Sequence, residues 1–216
     1  LITADLTVAD QNTMAARLLS GATMPEGQKP VAMAYSGHQF GQYAPLLGDG
    51  RAMLIGEVRD RDGQPHEVHL KGSGLTPYSR GGDGKATLGA AVREYLVSEA
   101  MAALGLQTSR SLAITTTGEQ IMRQTASPGA VLARTTRSHL RVGTFQYTAA
   151  NHDDNTLRAL ADFAIERLDP DLATQAPDRY VQFLTRVADR QAKLIAGWMS
   201  FGFIHGVMNT DNMTLS

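Results

Sequence analysis

The sequence contains no cysteine, which excludes disulfides and thiolate-held zinc from this chain and agrees with a reducing compartment. It also lacks any apolar run near the ~20 residues that a bilayer-crossing helix needs. An excess of one charge is missing too. Twenty Lys and Arg stand against 21 Asp and Glu, a formal net charge of −1. That gives no electrostatic case for nucleic acid or an anionic membrane. No repeat and no low-complexity segment interrupts it. What remains is ordinary globular composition, 43% hydrophobic and 19% charged over 216 residues, enough for one large domain or two modest lobes. The chain opens on Leu1 with no leader before Asp5 and stops at 213–216, where an apolar strand is starting; we read it as part of a longer protein.

Periodicity gives the coarse order. Residues 8–19 read as a helix stopped at Gly21. A Gly/Pro-rich stretch without clear period follows to Arg51. Residues 51–59 and 65–71 read as strands joined by an Asp-Gly turn at 60–63, and a glycine-rich loop fills 72–84. A helix from Thr87 to Leu104 carries Leu88, Ala91, Val92, Tyr95, Leu96, Ala102 and Ala103 on one arc. Residues 110–116 and 119–124 form a second expected hairpin, then a short strand at 130–134. Helical stripes follow: Leu157, Leu160, Ala161, Ala164, Ile165 and Leu168, then Val181, Leu184, Val187, Leu194, Ile195 and Trp198. Strands with one helix first and helices after imply an α+β, two-lobed fold. The boundary is expected near 136–145, giving a β-rich lobe at 1–140 and the start of a helical lobe at 141–216.

Several motifs carry chemistry. VHLKGSG ends a strand on Lys71, and a helix with glutamates follows, the arrangement by which kinase-like folds hold ATP phosphates. Most strand-terminal lysines are merely solvated, and periodicity leaves the partner open between Glu94, Glu99 and neither. Gly48-Asp49-Gly50 and the glycines at 72, 74, 81, 82 and 84 allow close backbone approach to phosphate. Neither glycine pattern is a P-loop or a dinucleotide fingerprint, because Ser79, Ala86, Met53 and Pro77 stand where those motifs need other residues. The basic residues concentrate at Arg123, Arg134, Arg137 and Arg141. The forks of Arg134 and Arg141 suit bidentate phosphate contact, although a solvated basic face is the plainer reading. A zinc site is rejected: His66 and His69 lie on opposite faces of a strand, and HEVH is one residue short of HExxH. Near the end, His205 and Asn212 keep the His-to-Asn spacing of a kinase catalytic loop, but Val207 holds the catalytic Asp position and Asp211 sits beside the Asn.

GHQFGQYAPLLGDGR, HLKGSGLTPYSRGGDGKATLGAAVREYLVSEAM, the LART…R segment and HGVMNTDN together resemble the selenoprotein O (YdiU-like) family from about residue 33 onward. The resemblance implies a protein-kinase-like pseudokinase fold and protein adenylyltransferase activity. AMP would pass from Mg-ATP (Mn2+ also possible) to Ser, Thr or Tyr hydroxyls of proteins, with ATP bound in reversed orientation. By matching position, Gly48, Gly50, Arg51, Lys71, Asp83, Gly84, Arg134 and Arg141 are expected to bind nucleotide, with Glu94 as the ion-pair partner of Lys71. Asp211 is the expected proton acceptor and Asn212 a metal ligand, with a second ligand, an Asp in a DYG- or DFG-like motif, beyond Ser216. Two other readings stand beside it: γ-phosphoryl transfer, and a non-catalytic nucleotide-binding scaffold. No nucleic-acid or membrane partner is expected. Location would be cytoplasmic in a bacterium and mitochondrial in a eukaryote. The 216 residues alone are expected to be inactive.

Overall fold

Alternation along two strands organises the molecule. Pro65–Lys71 sends Val68 and Leu70 to one face and Glu67, His69 and Lys71 to the other. In Ala126–Thr136, Val131 and Ala133 share the first face, while Ala130, Leu132 and Arg134 share the second. The structure is a computed structural model describing residues 8–24, 26–172 and 176–216. Its elements are α1 (Val8–Leu19), β1 (Gly37–Gln39), β2 (Gln42–Ala44), β3 (Ala52–Arg59), β4 (Pro65–Lys71), β5 (Ala86–Thr87), α2 (Leu88–Ala103), β6 (Arg110–Met122), β7 (Ala126–Thr136), α3 (Val142–Asn151), α4 (Asp154–Leu168) and α5 (Arg179–Ser200), with a 3-10 turn at Pro170–Leu172.

β7 is the spine of a five-stranded antiparallel sheet. β6 pairs along one edge, while β4 and the short β5 share the other, and β3 continues outward from β4. One face packs Ile55, Val68, Leu70, Val131 and Ala133 against Leu18 and Leu19 of α1. On the opposite face Ala130 and Leu132 meet Leu88, Ala91 and Tyr95 of α2. A separate core joins α4 and α5 through Ala164, Ile165, Leu168, Phe183 and Val187, and includes Leu140 and Leu215. This is an α+β molecule, a sheet lobe followed by helices.

The structure corrects several expectations. Residues 110–122 are one strand, not a hairpin; Gly118 (φ 76°) makes a bulge between Thr116 and Gln120 rather than a turn. The reversal comes later, at 123–125, and the short strand expected at 130–134 belongs to a longer β7. The unperiodic stretch hides a hairpin, β1–β2, turning at Phe40 and Gly41 with positive φ at both. Helix α3 went unseen because its sequence, VGTFQYTAAN, is rich in β-branched and aromatic residues. On α5 the expected stripe is only partly internal: Val187 is buried with Phe183, whereas Val181 and Leu184 are exposed. On α2, Val92 and Leu96 likewise face outward. Residues 213–216 run extended beside the start of α3, through a Thr214–Arg141 bridge and a Leu215 N–H donated to Leu140 O.

Candidate active site

β4 and α2 bring the first pair together. Lys71 ends β4 on the face that α2 covers, and its Nζ donates to Glu94 Oε2 at 2.5 Å. Glu99, the alternative on the same helix, instead takes Arg110 of β6 at 2.6 Å and the Ser111 N–H at 3.0 Å. The choice between the two glutamates is therefore geometric: Glu94 faces the lysine and Glu99 staples α2 to β6. Glu94 Oε1 also accepts from Arg134 Nη1 at 3.0 Å, so one carboxylate serves two cations. Burial opposes charge on Glu94, but Lys71 and Arg134 outweigh it and hold its carboxyl below the usual range. Burial lowers the Lys71 ammonium, with Arg134 adding to the effect and Glu94 opposing it.

Arg134 and Arg141 are not a solvated basic face. Their side chains are 16% and 13% exposed, and both line the cavity of about 1100 Å³ that Lys71 lines. The rest of the basic stretch divides. Arg123 at the rim holds Asp83 by two bonds of 2.7 and 2.9 Å, and Arg137 donates to the Arg167 carbonyl. Arg123 keeps the Asp83 carboxyl down at about 2.

Gly48, Gly50, Arg51, Asp83 and Gly84 line the same cavity. The glycines there answer first to protein neighbours. A Cβ on Gly48 (φ 82°) would sit 2.3 Å from the Tyr78 ring, and one on Gly84 (φ 67°) would sit 1.9 Å from Gly74 O. Asp211 and Asn212 close the cavity from the helical side. Asp211 is wedged against the β1–β2 hairpin: a Cβ on Gly37 would lie 2.5 Å from its Oδ1, which is buried without a hydrogen-bond partner. Gly143 of α3 donates its N–H to Thr210 O at 2.7 Å and accepts from Ser36 N at 2.9 Å, tying hairpin, helix and loop together. Asn212 Oδ1 accepts from Asn209 N–H and its amide donates to Val207 O, which shapes the loop. Val207 is 54% exposed, and His205 stacks on Trp198.

Motif reading missed the residues behind the arginines. Asp49, which the motif Gly48-Asp49-Gly50 gives no role beside its glycines, has a buried side chain that accepts from Arg141 Nη2 at 3.0 Å and from Met33 N at 3.2 Å. His69, weighed only as a metal ligand, is fully buried with Nδ1 3.2 Å from Arg134 Nη2. Its place two residues before Lys71 on a strand was the available signal. His139 stacks on it at 4.3 Å, and Glu67 accepts from the His139 backbone N–H at 2.6 Å. Tyr35 lies under Arg141, ring centroid to guanidinium 4.0 Å. Among the described residues no group of three His, Cys, Asp or Glu is placed to hold a metal.

A sheet lobe whose strand-borne lysine pairs with a helix glutamate, followed by helices and a catalytic-type loop, defines a kinase-like protein. The family model described as "Protein adenylyltransferase SelO" matches residues 2–216, and the chain belongs to that family. It is 61% identical over 202 residues to a protein of Bradyrhizobium sp. (strain ORS 278), 59% over 201 to one of Chromobacterium violaceum, and 58% over 202 to one of Cereibacter sphaeroides. Each of the three is named "Protein nucleotidyltransferase YdiU". The matches cover 93% of this chain and 41 to 42% of those proteins, so the chain spans about two fifths of their length.

Proposed function

We propose that the whole protein transfers AMP from ATP to Ser, Thr or Tyr hydroxyls of other proteins and releases pyrophosphate. One observation carries the reading: Lys71, Arg134 and Arg141 line one cavity, and Asp211 lines it too, from the loop packed on the start of α3. Three cations in one cavity suit a polyphosphate, and a carboxylate in the same cavity suits an acceptor hydroxyl. Asp211 takes the hydroxyl proton as the oxygen bonds to the α-phosphorus. The bond from that phosphorus to the bridging oxygen breaks, and its electron pair leaves with pyrophosphate. Lys71 and the arginines stabilise the charge that builds on the phosphate oxygens. Gly48, Gly50, Arg51, Asp83 and Gly84 take the remaining nucleotide contacts in this reading.

Magnesium, or manganese, is the implied metal; when bound it neutralises phosphate charge. The residues present fit part of its shell. Asn212 Oδ1 has spent one lone pair on Asn209 and keeps another that would hold the ion, while Asp211 is kept for the proton; such ions complete their shell with carboxylate and substrate oxygens. The bacterial relatives favour the cytoplasmic location over the mitochondrial one. Among the described residues no helix is long and apolar enough to cross a membrane. These 216 residues alone are expected to show no transfer.

The test follows label from α- and γ-labelled ATP into protein with the full-length enzyme. Retention of the α label alone is expected. Retention of the γ label alone would make it a kinase, which exposed Val207 in the catalytic Asp position disfavours. ATP binding with neither label retained would leave a scaffold.

A further inference from the structure

We propose that His69 and Asp49 are positioning residues for the phosphate-binding arginines, His69 holding Arg134 and Asp49 holding Arg141, so that both guanidinium groups face the cavity before a nucleotide arrives. This rests on the nucleotide-binding reading above. Strand register sets up the first contact: His69 and Arg134 are direct cross-strand partners in the β4–β7 ladder, where facing side chains lie ~5 Å apart at Cβ. Arg134 Nη2 reaches His69 Nδ1 at 3.2 Å. Arginine has donors only, so Nδ1 must present a lone pair, and the proton of a neutral imidazole then sits on Nε2. Nε2 faces Asp49 Oδ2 at 3.3 Å, a contact of a neutral N–H with a carboxylate, off the ideal hydrogen-bond line. The other oxygen of Asp49 takes Arg141.

The chain runs Arg134–His69–Asp49–Arg141, and each link fixes the next. Asp49 sets the tautomer that leaves an acceptor for Arg134, and its second oxygen holds Nη2 of Arg141 in place. The remaining freedom is removed from outside. Glu94 holds Nη1 of Arg134, the Tyr35 ring supports Arg141, and His139 stacks flat on His69. The groups facing His69 are Asp49, Arg134 and His139. A proton added at Nδ1 would point a donor at a donor, and burial already holds this imidazole down at about 4. His69 is fully buried and makes no contact with the cavity, so it acts through Arg134 alone.

ATP dissociation constants on the full-length protein with magnesium test this, with a thermal melt on each variant. His69→Gln keeps a polar group near Nε2 and removes the Nδ1 acceptor; it should weaken ATP about tenfold. The same change in an Arg134→Lys background, where no fork remains to be held, should cost nothing further. Asp49→Asn should weaken ATP comparably, and His69→Asn, which restores an acceptor near Nδ1, should recover most of the affinity. Equal losses from His69→Gln in both backgrounds, or lowered melting with unchanged ATP affinity, would make the pair structural filling and overturn the proposal. Should His69→Gln not fold, the Asp49→Asn affinity and the His69→Asn recovery decide. Wild-type protein that binds ATP and transfers no AMP would sink the transfer reading alone. Wild-type protein that transfers AMP while the folded variants bind ATP normally would sink this one alone.

Discussion

Glycine at position 37 is dictated by a carboxylate 174 residues later in the chain, at Asp211. The hairpin backbone lies so close to Asp211 that a methyl group there would overlap its Cβ, Cγ and Oδ1, all within 2.7 Å. No turn requires this glycine, since it has no positive φ. Gly37→Ala should therefore leave ATP affinity within about twofold and displace Asp211, cutting transfer on the order of a hundredfold, the usual cost of misplacing a reacting group by ~1 Å. Steady-state kinetics with labelled ATP would show the loss in kcat. An unchanged kcat in a folded variant would mean that Asp211 has room to move or no role in the chemical step. At this scale the sequence was legible where a residue type has few uses. Two arginines, a strand-terminal lysine and an Asp-Asn pair could be picked out, but nothing in GHQF or GDG announces that Gly37 backs Asp211 or that Asp49 is buried.

Between elements, the decisive contact is the one from Lys71 at the end of β4 to Glu94 of α2, a helix that packs on β7. Periodicity could place Lys71 at a strand end and both glutamates on one helix, yet it could not choose between them, because a helix's rotation about its axis is set by packing. Leu88, Ala91 and Tyr95 lie on β7 and turn Glu94 inward; Glu99, five residues later, reaches β6 instead. Strands failed in the opposite way. Gly118 looked like a turn in isolation and is a bulge, since β7 continues pairing past it. The prediction at this scale contrasts the partners of one pair. Lys71→Ala should reduce transfer roughly a hundredfold or more, the usual worth of a charge contact made in the transition state. Glu94→Gln should lose activity in the same direction with ATP still bound, because the ammonium keeps its charge but loses its aim, and Arg134 loses the same carboxylate. Transfer at wild-type rate in Glu94→Gln would show that neither cation needs that anchor.

For the whole molecule, the sheet lobe meets the helices through buried ionisable groups, and that makes stability depend on pH. Glu67 of β4 accepts from the backbone and ring of His139 in the connector, at 2.6 and 2.9 Å, and lies 3.5 Å from Arg167 of α4. His139 stacks on His69. Burial opposes protonation of both imidazoles. It lowers His69 from 6.5 to about 4 despite Asp49, and lowers His139 despite Glu67, with Arg134 and Arg141 adding to the effect on His139. In the unfolded chain each titrates at its ordinary value. As pH falls below 6.5 the unfolded state therefore gains protons that the folded state refuses. Stability contributed by these groups is complete above 6.5 and declines as pH falls, for His69 until about 4. The slope is about 1.4 kcal/mol per pH unit for each proton taken up by the unfolded state alone. From the bottom of that window downward Glu94 and then Asp49, both held under their usual values, continue the loss. Urea midpoints at constant ionic strength should thus fall steadily from pH 7 to 4.5, before ordinary carboxylates titrate. His69→Gln should have a shallower slope over that range because it removes one of the two refusing groups. A midpoint flat from pH 7 to 4.5 in the wild type would mean that these imidazoles take up protons in the folded state, and Arg134 would then face a cation where a neutral acceptor is required.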